Sequence, residues 1–436
     1  MAFATRRYFL GAAAVGGTAL LLPSRCSQAA EANERVRVAI LGAGNQGRRH
    51  AESLLTLPNV EIAAVSDVDS ERLAAQHGRV GNQAQAVADF RRILDDRSID
   101  AVTIALPDHW HTPAALLALN AGKHVYVEKP CSHNVREGRL LVDAAAAHPQ
   151  LAVAHGTQAR ATPGIIEAIE MLHAGVIGKV LVAKCWNYQQ RENIGRKQPT
   201  APPATVDYDT WVGPAEWLPF QTNRFHYKWH WWRNFGTGDA GNDGCHELDL
   251  ARWGLGAEEH PTTISAIGGK YHFDDDQEFP DTLQATFEWP GAGGPSERRM
   301  LIFEQRLWTT NYPHNVDSGV EFLGTNGRIF LSKRGKFELY GPRNARSERK
   351  LNGALAARVE DNHADWLHAI RDGTAPKAGI VAAHRTATLA HLANLSARLG
   401  RTLTFDPQAE TIASDNEANN LLARRYRDGG HWAVPT

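Results

Sequence analysis

The segment Gly42-Ala43-Gly44-Asn45-Gln46-Gly47 follows directly on the apolar run Val36–Leu41 and opens a stretch with helical spacing. A glycine at 42 permits the tight turn out of a buried strand. One at 44 lets backbone approach a ligand closely, and one at 47 lets the helix pack against that turn. Asp67 ends a second apolar run, Val60–Ser66, at the distance where a dinucleotide fold places its ribose-binding acid. Gly42, Gly44, Asn45, Gln46 and Gly47 are therefore expected around a pyrophosphate, whose charge a helix N-terminus favours. Asp67 is expected on the adenosine ribose. Its carboxylate would accept from a 2′-hydroxyl and repel a 2′-phosphate, so NAD(H) is expected over NADP(H).

The pattern after this unit alternates strand and helix as far as Ala154, which predicts a parallel sheet covered on both faces. After Thr157 the texture changes. A long Pro- and Trp-rich stretch runs from Gln189 to about Gly241, and six short strands then follow without intervening helices. The expected fold class is α/β: an N-terminal Rossmann doubly wound parallel sheet, then a C-terminal α/β domain with an open, mostly antiparallel sheet. The expected boundaries are 33–157 for the NAD-binding domain and 158–436 for a substrate and oligomerisation domain. With 47 Lys and Arg against 48 Asp and Glu, the chain has no field to gather nucleic acid or an anionic membrane.

Residues 1–32 read as a signal. Arg6-Arg7 precede Phe9-Leu10 and an apolar run from Leu10 to Leu22, too short for the roughly 20 residues that span a bilayer. The paired arginines resemble a twin-arginine signal, which implies folding in the cytoplasm, export by the twin-arginine machinery and a periplasmic or otherwise exported destination. No stable membrane insertion of the mature chain is expected. Of the four cysteines, Cys26 would leave with the signal. Cys131, Cys185 and Cys245 form no CxxC pair, so no metal site is expected.

Three further segments carry a resemblance: Asp108-His109-Trp110-His111, Ala121-Gly122-Lys123-His124-Val125 and Glu128-Lys129-Pro130. With Gly241-Asn242-Asp243-Gly244-Cys245-His246-Glu247-Leu248-Asp249 they resemble the glucose–fructose oxidoreductase/inositol dehydrogenase/MocA (Gfo/Idh/MocA) family, in its exported branch. The resemblance implies an NAD-dependent oxidoreductase acting on CH–OH groups of a sugar, glycoside or cyclitol. It makes Lys129 the catalytic lysine and His246 its partner on the alcohol proton, with Glu128 beside the cofactor. The chemistry agrees, because oxidising an alcohol needs a base for the O–H proton. A cationic nicotinamide beside Lys129, away from water, would lower the lysine's pKa. Asn242 stands where many members carry an aspartate. An amide orients a hydroxyl but exchanges no proton, and aspartate is expected to be tolerated there. Asp243, next along a helix, is expected to point elsewhere. His109 and His111 are expected near the cofactor.

Aromatic faces stack on sugar rings and Arg donates to hydroxyls. On that ground Trp229, Trp232 and Arg233, with Gln158 and Arg160 after the last parallel strand, are the candidate carbohydrate contacts. Free NAD is scarce outside the cytoplasm, so a tightly bound, internally recycled cofactor is expected. Two alternatives stay open: an NAD-dependent glycosidase or epimerase using transient oxidation, and a non-catalytic glycan-binding protein that retains NAD. A homo-oligomer, dimer or tetramer, is implied by the resemblance.

Overall fold

A computed structural model of the chain describes residues 35–291, 294 and 297–436. The expected signal, 1–32, lies outside the described residues. The first sheet contains β1 (Val36–Leu41), β2 (Val60–Ser66), β3 (Gln85–Val87), β4 (Ala101–Ile104), β5 (His124–Val127) and β6 (Val153–His155), in the order β3-β2-β1-β4-β5-β6. Every pairing is parallel. The order reverses between β1 and β4, and beyond the carboxyl ends of those strands such sheets form their ligand crevice. The central strands β1 and β4 are buried on both faces, which is why they read as unbroken apolar runs.

Among the described residues the second sheet has nine strands: β7 (Val180–Asn187), β8 (Thr263–Gly269), β9 (Thr282–Trp289), β10 (Arg299–Arg306), β11 (Ser318–Gly324), β12 (Gly327–Ser332), β13 (Lys336–Tyr340), β14 (Leu403–Asp406) and β15 (Thr411–Ile412). Their order is β13-β12-β11-β7-β10-β9-β8-β14-β15. Of these, β7 and β10 pair in parallel and the other pairings are antiparallel. One face is covered by the helices Gly244–Gly254 and Ile380–Leu399, and its inward residues, among them Phe287, Phe303 and Phe322, are fully buried. The tail carries few apolar residues. It nonetheless extends the sheet as β14 and β15, because Leu403 and Phe405 alternate inward.

The first sheet is completed by chain from beyond residue 158. Trp366 and Leu367, on the helix Val359–Asp372, pack with Val36, Val38 and Ile40 of β1. The helix Ile380–Leu399 puts Ile380, Ala383 and Ala387 into the core of the first sheet and Leu389, Leu392 and Leu395 into that of the second. A carboxylate ties this junction together. Glu410 accepts from His260 Nε2 at 3.1 Å and His384 Nε2 at 2.9 Å, and from Arg139 on the helix Val135–Ala147. The Glu410 carboxylate and the two imidazoles lie within metal-clustering distance of one another. The Arg139 guanidinium faces the same carboxylate oxygen.

Candidate active site

One cavity of about 510 Å3 runs from the glycine turn to the end of β12, and both halves of the chain line it. Gly42 sits at φ +98°, and a Cβ there would lie 2.5 Å from the Ala105 carbonyl. A Cβ on Gly47 would lie 1.8 Å from the Gly42 carbonyl, so Gly47 shapes the turn from behind rather than lining the cavity. Gly44, Asn45 and Gln46 are in the wall. A side chain at 42 or 47 would collide with the backbone that shapes the turn, and the tight turn leaves Gly44, Asn45 and Gln46 at the helix N-terminus facing the cavity, which suits a pyrophosphate.

Asp67 is anchored by backbone: Ala43 N–H donates to Oδ2 at 2.7 Å and Asp69 N–H to Oδ1 at 2.8 Å. Burial raises its pKa, while these two amides and Arg72 act in the opposite direction. Each oxygen keeps a lone pair for a ribose hydroxyl. Opposite stands a strap from the long aromatic stretch. Ser70 N–H donates to the Thr205 carbonyl at 2.9 Å, Asp207 N–H donates to the Val68 carbonyl at 3.0 Å, and Asp69 and Val206 form an antiparallel bridge. Behind this bridge Thr210, Trp211, Phe225 and His226 close the same end of the cavity.

At the other end, Lys129 Nζ donates to Asn242 Oδ1 at 2.8 Å. The Lys129–Pro130 peptide is cis. Burial pulls the lysine's pKa down, but the carboxylates of Asp243, Glu128 and Asp108 together raise it above its ordinary value. The chain's own residues therefore hold Lys129 protonated, the reverse of the lowering expected beside a cationic ring. His246 lines the cavity with Nδ1 buried and without a protein partner. Burial, with Lys333 and Lys129 nearby, keeps its imidazole neutral well below the usual histidine range.

Glu128 lies in the wall, but its oxygens are engaged by the chain. Gln46 Nε2 donates to Oε1 at 2.8 Å, His50 Nε2 lies 3.0 Å from the same atom, and Lys129 N–H donates to Oε2 at 3.1 Å. Burial opposes ionisation, yet His50 and Lys129 hold this carboxyl far below the usual range. It supports the glycine helix and Lys129 as a buried anion. His111 also reaches the wall, with Nδ1 2.6 Å from the Pro130 carbonyl and Nε2 2.8 Å from the Leu106 carbonyl, clamping two loops together.

Four of the residues expected at the site turn away from it. His109 is fully buried among Trp110, Trp211 and Phe235, with Nε2 2.9 Å from the Trp211 carbonyl. Burial pushes its pKa down to about 3. The helix there begins at Asp108, so His109 sits on its first turn and faces the core. Arg160 makes a buried two-pronged pair with Asp249, both bonds at 2.8 Å. Trp232 donates Nε1 to the Asn223 carbonyl at 2.7 Å under the Arg224 guanidinium. Arg233 is exposed and lies over Phe279. Gln158 and Trp229 do line the cavity.

Several wall residues were not expected. Asp243 is one: the helix Gly238–Asn242 ends before it and the helix Gly244–Gly254 starts after it, so the phase of an unbroken helix does not apply. Its carboxylate pairs with Arg191 and is held well below the usual range despite burial, by Lys333, Arg191 and Lys129. Tyr227, His230 and Lys333 complete this end. Lys333 and Arg191 carried no motif; only the fold brings the end of β12 and the exit of β7 to Lys129.

The arrangement defines a class, the two-sheet dinucleotide-fold proteins in which one cavity joins the glycine turn to a buried lysine. The chain belongs to the Gfo/Idh/MocA oxidoreductase family: residues 36–155 match its NAD-binding Rossmann fold and residues 171–281 and 344–433 its C-terminal alpha/beta domain. It is 33% identical over 159 residues to a glycosyl hydrolase family 109 protein of Saccharopolyspora erythraea, covering 35% of this chain and 34% of that protein. It is 33% identical over 151 residues to inositol 2-dehydrogenase 3 of the same organism, covering 34% of this chain and 44% of that protein. The matches thus span between about a third and less than half of these curated relatives. The fold is that of levoglucosan dehydrogenase solved with NADH and levoglucosan, at a TM-score of 0.66 and 18% identity over 85% of this chain and 99% of that one. An aldose–aldose oxidoreductase from Caulobacter crescentus superposes at a TM-score of 0.66 and 18% identity, over 85% of this chain and all of the other.

Proposed function

We propose that the protein is an NAD(H)-dependent oxidoreductase acting on a secondary hydroxyl of a sugar, glycoside or cyclitol. The observation that carries this reading is the shared cavity with the glycine cradle and Asp67 at one end and Lys129, Asn242, Asp243 and His246 at the other. Gly42, Gly44, Asn45, Gln46 and Asp67 would hold the dinucleotide, and a bound nicotinamide supplies the hydride acceptor. The chain's own groups do the rest. Lys129 Nζ and the neutral His246 ring bind the hydroxyl and handle its proton, while Asp243 keeps a fixed negative charge beside them. Gln158, Tyr227 and Trp229 offer polar and aromatic contacts to a polyol. The named activities of the inositol and levoglucosan dehydrogenases support a polyol substrate.

The strap across the Asp67 end supports a tightly held cofactor, in keeping with export through the signal at 1–32. Retention favours chemistry that returns the cofactor to its starting state within the site. Similarity to a glycosyl hydrolase family 109 protein supports a second reading on the same residues, transient oxidation followed by elimination or epimerisation. The domain division at 157/158 and a homo-oligomer belong to the same proposal. The uncovered face of the nine-stranded sheet, with Ile267 at 76% exposure and Met300 and Leu323 also exposed, would be its interface. Among the described residues no helix is long and apolar enough to cross a membrane.

The test is to purify the protein gently, denature it and assay released nicotinamide. Glycosides, aldoses and cyclitols are then screened for single-turnover absorbance change at the reduced-nicotinamide band. Nicotinamide release together with reduction by at least one polyol is expected. Protein that neither releases nor binds nicotinamide removes the reading; binding without any reduction leaves the non-catalytic glycan binder.

A further inference from the structure

Asp239 lies behind the lysine wall, fully buried. It accepts from Asn187 Nδ2 at 2.8 Å, from Arg191 Nε at 3.1 Å and from Asn242 Nδ2 at 2.9 Å. An ionised carboxylate only accepts and an ammonium only donates. The amide of Asn242 sits between one of each, so a single orientation satisfies both: NH2 toward Asp239, oxygen toward Lys129. Flipped, it would set NH2 against the ammonium and oxygen against the carboxylate, leaving polar groups unpaired in a buried place.

We propose that Asp239 is a positioning residue for Lys129: through the amide of Asn242 it fixes the ammonium in the cavity wall and makes asparagine, rather than aspartate, the residue that fits beside it. With sequence alone, the exchange Asn242→Asp adds only a charge beside His246. With Asp239 in place, the same exchange would set two carboxylates at hydrogen-bonding distance, and one must take a proton or move away. The inference rests on reading Lys129 as the group that handles the alcohol proton, but the network itself exists without substrate.

Other groups act on Lys129 as well. Asp243, Glu128, Asp108 and Cys245 favour its charged form, and His246, His230 and His155 lie within electrostatic reach. Arg191 is shared between Asp239 and Asp243, so it stays paired when Asp239 loses its charge.

The test reads Lys129 directly. Purified full-length protein is competitively acetylated with limiting acetic anhydride at a fixed pH of about 9, below the ordinary lysine pKa, and labelling at Lys129 is quantified by mass spectrometry against exposed lysines. Asp239→Asn frees the amide to turn and removes an anion, and Asn242→Ala removes the amide while leaving the Arg191 pair intact. Each is expected to raise Lys129 labelling about tenfold, which corresponds to a fall of about one pH unit in its titration. In single-turnover assays Asn242→Asp alone is expected to lose about tenfold in rate, and Asp239→Asn with Asn242→Asp, which restores one amide and one carboxylate in reverse order, to recover to within about threefold of the parent. Unchanged labelling in Asn242→Ala or in folded Asp239→Asn overturns the inference, as does a double variant no faster than Asn242→Asp. If the parent reduces no nicotinamide with any polyol, the functional reading fails on its own and labelling still decides the role of Asp239.

Discussion

Lys129 is charged in the resting chain because three carboxylates outweigh its burial, and it is the single side chain whose loss should separate binding from chemistry. Lys129→Ala leaves the glycine cradle and Asp67 untouched. Nicotinamide content should match the parent while the single-turnover rate falls by about two to four powers of ten; a rate within a few-fold of the parent would return Lys129 to the role of a wall residue. Asp67 should govern cofactor choice in the same separable way. Its backbone-anchored carboxylate faces the ribose side, so the parent should bind NAD(H) well above NADP(H), and Asp67→Ser should narrow that preference in paired titrations. Equal affinities in the parent would count against Asp67. At this scale the sequence was a partial guide. Gly42, Asp67, Lys129 and His246 were legible because a motif fixes each relative to a strand end or helix. His109 and Asp243 were not, since the first depends on where a helix begins and the second on where one breaks. Arg160 and Trp232 look like ligand contacts in any sequence; only Asp249 and the Asn223 carbonyl show them to be structural.

The strap over the Asp67 end belongs to the scale of elements. Its hold on the cofactor side is local: Ser70 N–H and Oγ to the Thr205 carbonyl, and Asp207 N–H to the Val68 carbonyl. Ser70 is the first residue of the helix Ser70–Val80, and Asp69 before it is extended, at φ −96° and ψ 109°. Proline suits both conditions. Ser70→Pro therefore removes the bonds to Thr205 and spares the helix. A net hydrogen bond is worth about 1 kcal/mol, so loss of the two bonds should quicken nicotinamide dissociation by up to about thirtyfold with little change in melting temperature. Stopped-flow displacement measures this; an unchanged off-rate would show that the strap does not hold the ligand. The parallel strands were readable as apolar runs. β3 was not, because Gln85 and Ala86 are exposed and carry no periodicity, and β14 was hidden by a tail with few apolar residues.

Across the whole molecule, many histidines are buried and neutral. Burial holds His230 and His391 at about 3 and His155 at about 4. In the unfolded chain each would take a proton near pH 6.5. Below that value the unfolded state binds protons that the folded state refuses, so stability present above pH 6.5 is lost as pH falls toward 4. Glu410 adds to this on the acid side. Burial opposes its charge, but His260, His384 and Arg139 hold it far below the usual range, so its contribution also fades as acid protonates it. Urea midpoints should drop steadily from pH 7 to pH 5; a flat or rising trend would contradict the burial of these rings.

The helices Val359–Asp372 and Ile380–Leu399 are made about 200 residues after the strands of the first sheet yet line it, and Arg424 reaches back to Glu137 while Trp432 lies against Phe90. A ribosome delivers the chain from the other end. The strands behind the glycine turn are all encoded by residue 155, but the helices that cover them emerge only with residues 359–399. Synthesis order therefore places stable nicotinamide capture after residues 359–399 have emerged, and a nascent chain stalled before Val359 should bind nicotinamide less tightly than the released protein.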